Sequence, residues 1–244
     1  MRQMKVFLIA LLTIFVGSAT AQTTSVSTII VNDTTIADAT SLADAIQKAG
    51  ITDSTKVTSI EYKKGTLTGA SYKEGDWAFI RTLANLRSLI TDDSVEVADV
   101  PNYEFEYRLC PRLKTIRLTT VKAVGNEAFN REALFERVLA TIDLPQVEKI
   151  GDKAFAYNSS LTSLSLPKCV TIGQEAFNGC ASLKSISLPS AEEIGKSAFY
   201  YTAIESLTSE MIPKIKVLND NVFANCKNLK SISLAFVRIL HDKA

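Results

Sequence analysis

The chain has 244 residues, 46% of them apolar, with 27 Lys and Arg against 26 Asp and Glu for a net charge of +1. This balance offers no basic patch to draw in nucleic acid and no field directed at an anionic membrane, so nucleic acid is excluded as a partner. One histidine, and four cysteines with no C-x-x-C pair among them, supply neither a Ser-His-Asp or Cys-His arrangement nor a zinc ligand set. No catalytic residue, metal or cofactor is therefore expected, and the chain reads as non-enzymatic.

The first 21 residues read as a processing signal. Arg2 and Lys5 precede an apolar run of 11 residues from Val6 to Val16, and Ala19-Thr20-Ala21 is a small-x-small cleavage site. The run is shorter than the roughly 20 residues that a membrane span requires. The reading is thus an exported chain cleaved after Ala21, extracellular or at the cell surface, with no span in the mature part. Residues 22–56 read as an N-terminal tether and capping helix: a β-like stretch at residues 28–31, then a helix at residues 42–49. Ser41 caps that helix, Asp44 sits in its first turn, and Gly50 ends it.

Residues 57–244 repeat. From Leu161 the order is Leu161, Leu164, Leu166, Pro167, Cys169, Ile172, Gly173, Ala176, Phe177, Cys180, and the same order restarts 22 residues later at Leu183 with Ile186, Leu188, Pro189, Ala191, Ile194, Gly195, Ala198, Phe199. A fixed period of about 20 to 29 residues with apolar first, fourth, sixth, ninth, twelfth and seventeenth places is a leucine-rich repeat pattern. The predicted fold is an α/β solenoid with short parallel strands on one face and loops or short helical turns on the other. It should hold seven to eight coils, the last incomplete, behind an N-terminal helical cap.

The earliest coils are irregular. One starts at Val57 with Ile60 and Tyr62, and Asp76 reads as the cap of a helix carrying Trp77, Phe79, Ile80 and Leu83. The aromatic places Tyr107, Phe129, Phe155, Phe177, Phe199 and Phe223 then follow at intervals of 22, 26, 22, 22 and 24. These intervals locate an insertion near Phe135 and another between Phe199 and Phe223. Gly125, Gly151, Gly173 and Gly195 follow the twelfth place, where a turn with positive φ is expected, and Asn219 and His241 hold the same place. Pro145, Pro167 and Pro189 fall at strand ends, where a missing N–H breaks little of a ladder. Cys110, Cys180 and Cys226 stand three residues after aromatic places, in non-adjacent coils, and Cys169 stands at a ninth place. Coils about 4.8 Å apart would hold them beyond the roughly 7 Å bridging limit, so they read as free apolar filler. His241 to Ala244 align with Gly151 to Ala154, just short of a core aromatic, so the expectation is a fragment of a longer parent.

The third place of every coil carries a hydroxyl: Ser59, Ser88, Thr115, Thr141, Ser163, Ser185, Ser206 and Ser231. The fifth place adds Ser165, Ser187, Thr208 and Ser233, with Arg117 and Asp143 as exceptions. Both places point away from the core on a strand. They form a ladder with two readings: cross-strand hydrogen bonding on an exposed sheet, or a polar ligand face for a glycan or peptide. A protein contact wants aromatic residues, and Phe135, Tyr157, Tyr200 and Tyr201 are the candidates outside the ladder.

The pattern L-x-x-[LI]-x-L-P-x-x-x-x-I-G-x-x-A-F-x-x-C-x-x-L at residues 161–183 resembles the BspA-like leucine-rich repeat family of bacterial cell-surface proteins. That resemblance implies a curved solenoid and a role in adhesion or host interaction. The expected partner is a host or matrix protein, with a surface glycan bound through the Ser/Thr ladder as the alternative.

Overall fold

The computed structural model describes residues 27–68, 75–97, 99–102, 112–131 and 139–243. The expected signal segment, Tyr107, Cys110 and Phe135 lie outside the described residues. The chain opens with a hairpin of β1, Ser27–Val31, and β2, Thr34–Ala39. Asn32 and Asp33 at its tip have φ of 46° and 68°, the paired left-handed values that suit a tight hairpin and that Asn and Asp tolerate. The expected tether is thus a paired strand, because β1 also runs antiparallel to β3, Ser59–Leu67, with Ile29 opposite Tyr62 and Val31 opposite Ile60.

Helix α1, Leu42–Lys48, forms as its sequence dictates: Asp44 N donates to Ser41 Oγ at 3.1 Å, and Gly50 leaves the helix end at φ 72°. Its Leu42, Ala45 and Ile46 are buried. They pack on β1, β2 and α2, Gly75–Ile80. Asp76 does not cap α2 as the sequence suggested but lies in its first turn and is buried. There it accepts from Leu42 N at 3.0 Å and from Thr68 N at 3.1 Å. One carboxylate thus pins the start of α1 to the end of β3.

Beyond this end the molecule is a parallel β-solenoid. The first strand row is β3, β4 (Ser88–Thr91), β6 (Thr115–Arg117), β8 (Thr141–Asp143), β10 (Ser163–Ser165), β12 (Ser185–Ser187), β14 (Ser206–Thr208) and β16 (Ser231–Ser233). The return side is more regular than the loops or helical turns expected there. It carries a second row: β5 (Val95–Val97), β7 (Ala123–Val124), β9 (Lys149–Ile150), β11 (Thr171–Ile172), β13 (Glu193–Ile194), β15 (Val217–Leu218) and β17 (Ile239–Leu240). Strands of two residues carry too little alternation to register as β in the pattern.

Between the rows sits the core. Phe129, Phe155, Phe177, Phe199 and Phe223 stack in one column with successive centroids 5.1, 5.5, 5.3 and 5.5 Å apart and interplanar angles of 13° or less. Each such pair adds about 0.5 to 1.5 kcal/mol beyond its buried area. The prolines sit at the second position of tight turns: Val147 N donates to Leu144 O, Cys169 N to Leu166 O and Ala191 N to Leu188 O at 3.2 to 3.3 Å. Proline's fixed φ suits that position.

The glycine expectation is overturned. Gly125, Gly151, Gly173 and Gly195 are not at positive φ; the left-handed residues come two places later, at Glu127, Lys153, Glu175, Ser197, Asn221 and Lys243. What the glycines supply is close approach. A Cβ on Gly173 would lie 2.6 Å from both Asp152 N and Gly151 C of the preceding coil, and one on Gly195 would lie 2.5 Å from Gln174 N. The place follows the second-row strand, where one coil's backbone rests directly on the next.

Cys169, Cys180 and Cys226 are free and buried, as expected. All three are more than filler: Cys169 Sγ donates to Thr171 O at 3.4 Å, and Cys180 Sγ to Phe155 O and Cys226 Sγ to Phe199 O, both at 3.3 Å. At the place of the last two, in their own coils, Asn158 Nδ2 donates to Phe129 O and Phe155 O at 2.9 Å, and Thr202 Oγ1 to Phe199 O at 3.0 Å. A buried column of small donors therefore satisfies main-chain carbonyls beside the aromatic stack.

Candidate functional site

The repeat register delivers the hydroxyl ladder to one face, but not as one continuous sheet. Ser59, Ser88, Thr115 and Thr141 are successive neighbours across β3, β4, β6 and β8. Ser163 and Ser165 face Ser185 and Ser187 across β10 and β12, and Ser206 and Thr208 face Ser231 and Ser233 across β14 and β16. Hydrogen-bonded pairing stops between β8 and β10 and again between β12 and β14. The candidates thus lie in three patches.

Thr141, Ser163, Ser165, Ser185, Ser187, Ser231 and Ser233 are exposed, while Thr115, Ser206 and Thr208 are half-buried. Among the described residues none of these side chains exchanges the cross-strand hydrogen bond that an exposed sheet would allow, so their donors and acceptors face solvent. In line with them, Arg117 Nε meets Asp143 Oδ2 at 3.2 Å. This pair opens a groove of about 640 Å³ that also takes in Asp93, Thr119, Lys122 and Gln146. Thr119 and Thr120 are fixed beside it by bonds to Asp92 O and Val95 O at 2.9 and 2.6 Å.

The tyrosines stand at a different corner, just after the stacked phenylalanines. Tyr157, Gly179, Tyr201 and Asn225 occupy one column, all in left-handed backbone with φ of 61°, 71°, 55° and 59°. Gly179 lets the neighbouring ring lie flat on the corner, since a Cβ there would come 2.6 Å from Tyr157 Cδ1. Tyr201 is 48% exposed with Lys227 Nζ 5.8 Å from its ring centroid, and Tyr200 Oη accepts from Asn225 Nδ2. Sequence reasoning found the three tyrosines and missed Asn225 and Lys227. Their signal was their place, one coil after Tyr201, in a position that the pattern leaves unconstrained.

The buried thiols carry no such exposure. Burial pushes Cys169 and Cys180 up to about 12, which leaves them protonated and inert at neutral pH. At the N-terminal end burial likewise raises the Asp76 carboxyl, against the lowering effect of its hydrogen bonds from Thr68 and Leu42, and raises Tyr62 well above the ordinary phenol. No group of three metal-ligating side chains occurs among the described residues, and no helix among them is long and apolar enough to cross a membrane.

Comparison with known proteins agrees with this geometry. The chain resembles the crystal structure of a leucine rich repeat protein of T. pallidum, with 24% identity, a TM-score of 0.54 and coverage of 76% of this chain and 77% of that one. It also resembles a leucine rich cell surface protein of Faecalibacterium prausnitzii, with 23% identity and a TM-score of 0.52, covering 72% of this chain and 50% of that one. The chain thus spans half the length of the second protein. A comparison with curated proteins finds no match. Six copies of the repeat described as BspA type leucine rich repeat region match residues 38–156 and 148–240, and the chain belongs to the BspA type leucine-rich repeat family.

Proposed function

We propose that this chain is a non-enzymatic interaction module, exported and held at or released from the bacterial surface, that contacts a host or matrix protein. The observation that carries the reading is the corner of Tyr157, Tyr200 and Tyr201. Two tyrosines are held there in left-handed backbone, a conformation that costs of order 1 to 3 kcal/mol for such residues, and one ring is half exposed. Tyrosine is a residue that dominates protein-binding hot spots. Family membership and the surface protein of F. prausnitzii support the same setting. On this reading residues 1–21 are the export signal, residues 22–56 the terminal segment and residues 57–244 the binding solenoid, with Phe135 as a further contact candidate.

A surface glycan is the second reading, favoured by the solvent-facing hydroxyls of the ladder beside the Arg117 and Asp143 pair. An array of matrix proteins set against an array of glycans separates the two. Protein binding that falls tenfold or more in Tyr201→Ala and Tyr157→Ala supports the first reading. Glycan binding abolished by lysine at Ser163, Ser185 and Ser231, with the tyrosine variants unaffected, overturns it in favour of the second.

A further inference from the structure

The tyrosine corner has a spacing of its own. Tyr157 and Tyr201 hold the same place of the repeat, two coils apart, in the same left-handed backbone. Two coil steps of about 4.8 Å set these places about 10 Å from each other. Gly179 stands between them, and the Tyr157 ring lies over it, since a Cβ there would come 2.6 Å from Tyr157 Cδ1. Tyr201 meets the following coil in turn, with Lys227 Nζ 5.8 Å from its ring centroid. Two places further along the chain stand Ser159, Ala181 and Ala203, so no large side chain fills the space beside the rings.

The main chain of this column is already committed. Tyr157 N donates to Asn178 O at 2.7 Å, Gly179 N to Tyr200 O at 2.9 Å and Tyr201 N to Ala224 O at 3.0 Å, and these bonds tie each coil to the next. Within the coils Ser159 N donates to Tyr157 O, Ala181 N to Gly179 O and Lys227 N to Asn225 O at 2.8 to 2.9 Å. A guest strand would need those N–H groups, and the hydroxyls of a sugar would need those carbonyls. What the corner still offers is on its side chains, as ring faces and donors. Tyr200 Oη accepts from Asn225 Nδ2 and so keeps its own O–H to give, and Lys227 is a cation with no acceptor at all.

We propose that the corner binds a proline-rich segment of the partner protein in the polyproline II conformation. Such a helix turns once in three residues of about 3.1 Å each, so one of its faces recurs about every 9 Å, close to the separation of the Tyr157 and Tyr201 places. Prolines three residues apart then lie on the two rings in turn. Proline brings no N–H that the committed main chain would leave unpaired, and the solvated carbonyls of the segment are the acceptors that the Tyr200 O–H and Lys227 lack. Aromatic surfaces recognise this helix at low ordering cost because it is formed before it binds. The proposal rests on the protein-interaction reading and names the class of partner for the same corner.

The test is calorimetric titration of the full chain with dodecaproline, against a Gly-Ser peptide of equal length. Tyr157→Gly and Tyr201→Gly each remove a ring and suit the left-handed backbone, as Gly179 does in the coil between them. Circular dichroism verifies that each variant is folded, and either one suffices. The expected result is saturable binding of dodecaproline and none of the Gly-Ser peptide, with a tenfold or greater loss in the glycine variants, a smaller loss in Tyr200→Phe and no loss in Lys149→Ala on the second strand row. In the wild-type complex the amide resonances of Gly179 and Asn225 should shift. A twelve-residue peptide with proline at every third place should bind more tightly than one with proline at every second, although it holds fewer prolines. No binding of dodecaproline, binding that survives loss of the rings, shifts confined to other coils, or the reverse order of the two spaced peptides overturns the proposal. If a matrix protein binds through Tyr157 and Tyr201 and dodecaproline does not compete, the proline-rich partner falls and the interaction reading stands. A glycan bound at this corner and lost in Tyr201→Gly overturns both.

Discussion

Two stretches of the same strand row behave differently. From β7 to β13 each coil rests backbone on backbone, and the place after the second strand is Gly125, Gly151, Gly173 or Gly195, none of which has room for a Cβ. At β15 the place holds Asn219, the corner before it is longer, and a side chain makes the bond that a main-chain N–H makes elsewhere. The aromatic stack does not register the change: Phe199 and Phe223 are 5.5 Å apart, as are Phe155 and Phe177. A solenoid of this kind can therefore loosen one edge of a coil while its core stays in register, because the nearest-neighbour terms at each corner are separate.

The largest expected effect tests the part that both stretches share. Phe177→Ala, in the middle of the stack, should cost about 3 to 5 kcal/mol in urea denaturation, and Phe223→Ala, near the exposed end, should cost less. Equal losses would show that the stack is not what carries the two stretches together. Next comes the contact that separates them. Gly173→Ala forces a Cβ into the preceding coil's backbone and should cost about 1 to 3 kcal/mol, a contact that the coil of Asn219, which already carries a side chain at that place, does not make.

A pH effect of similar size follows from the thiols. Cys180 is raised from 9.0 to about 12 by burial. The folded state then holds its proton where the unfolded state has lost it, so the contribution is fully present below pH 9 and is lost as pH rises toward 12, by up to about 1.4 kcal/mol per pH unit for each such thiol. Cys180→Ala should flatten that slope in urea titrations. In the same range native Cys169 and Cys180 should resist a thiol reagent that labels them in urea. The smallest expected effect is Asn219→Ala, which removes one side-chain bond and should cost about 0.5 to 1.5 kcal/mol, with faster exchange confined to β13 and β15.

The legible part of the fold is that set by register. A 22-residue period in the regular coils is enough to place Phe155, Phe177 and Phe199 in one column, the ladder serines on one face and the cysteines out of bridging reach. Each of these follows from identical positions stacking on one another. The capping of α1 by Ser41 was equally readable, since a cap and its partner Asp44 are three residues apart.

Features that arise between coils were not readable. The role of Gly173 depends on the distance to Asp152, 21 residues away, and not on its own φ. Asp76 reaches Leu42 across 34 residues. The strands of the second row are too short to leave a period, and the missing pairing between β13 and β15 depends on where Asn219 finds an acceptor once the corner before it is longer. By itself the sequence determined the repeat, its core and its exposed hydroxyls, because those are consequences of spacing along one chain. Only the tertiary structure decided how closely each coil lies on the next, because that distance is set by backbone contact between segments more than 20 residues apart, and it is there that the tyrosine corner and the Asn219 bridge take their form.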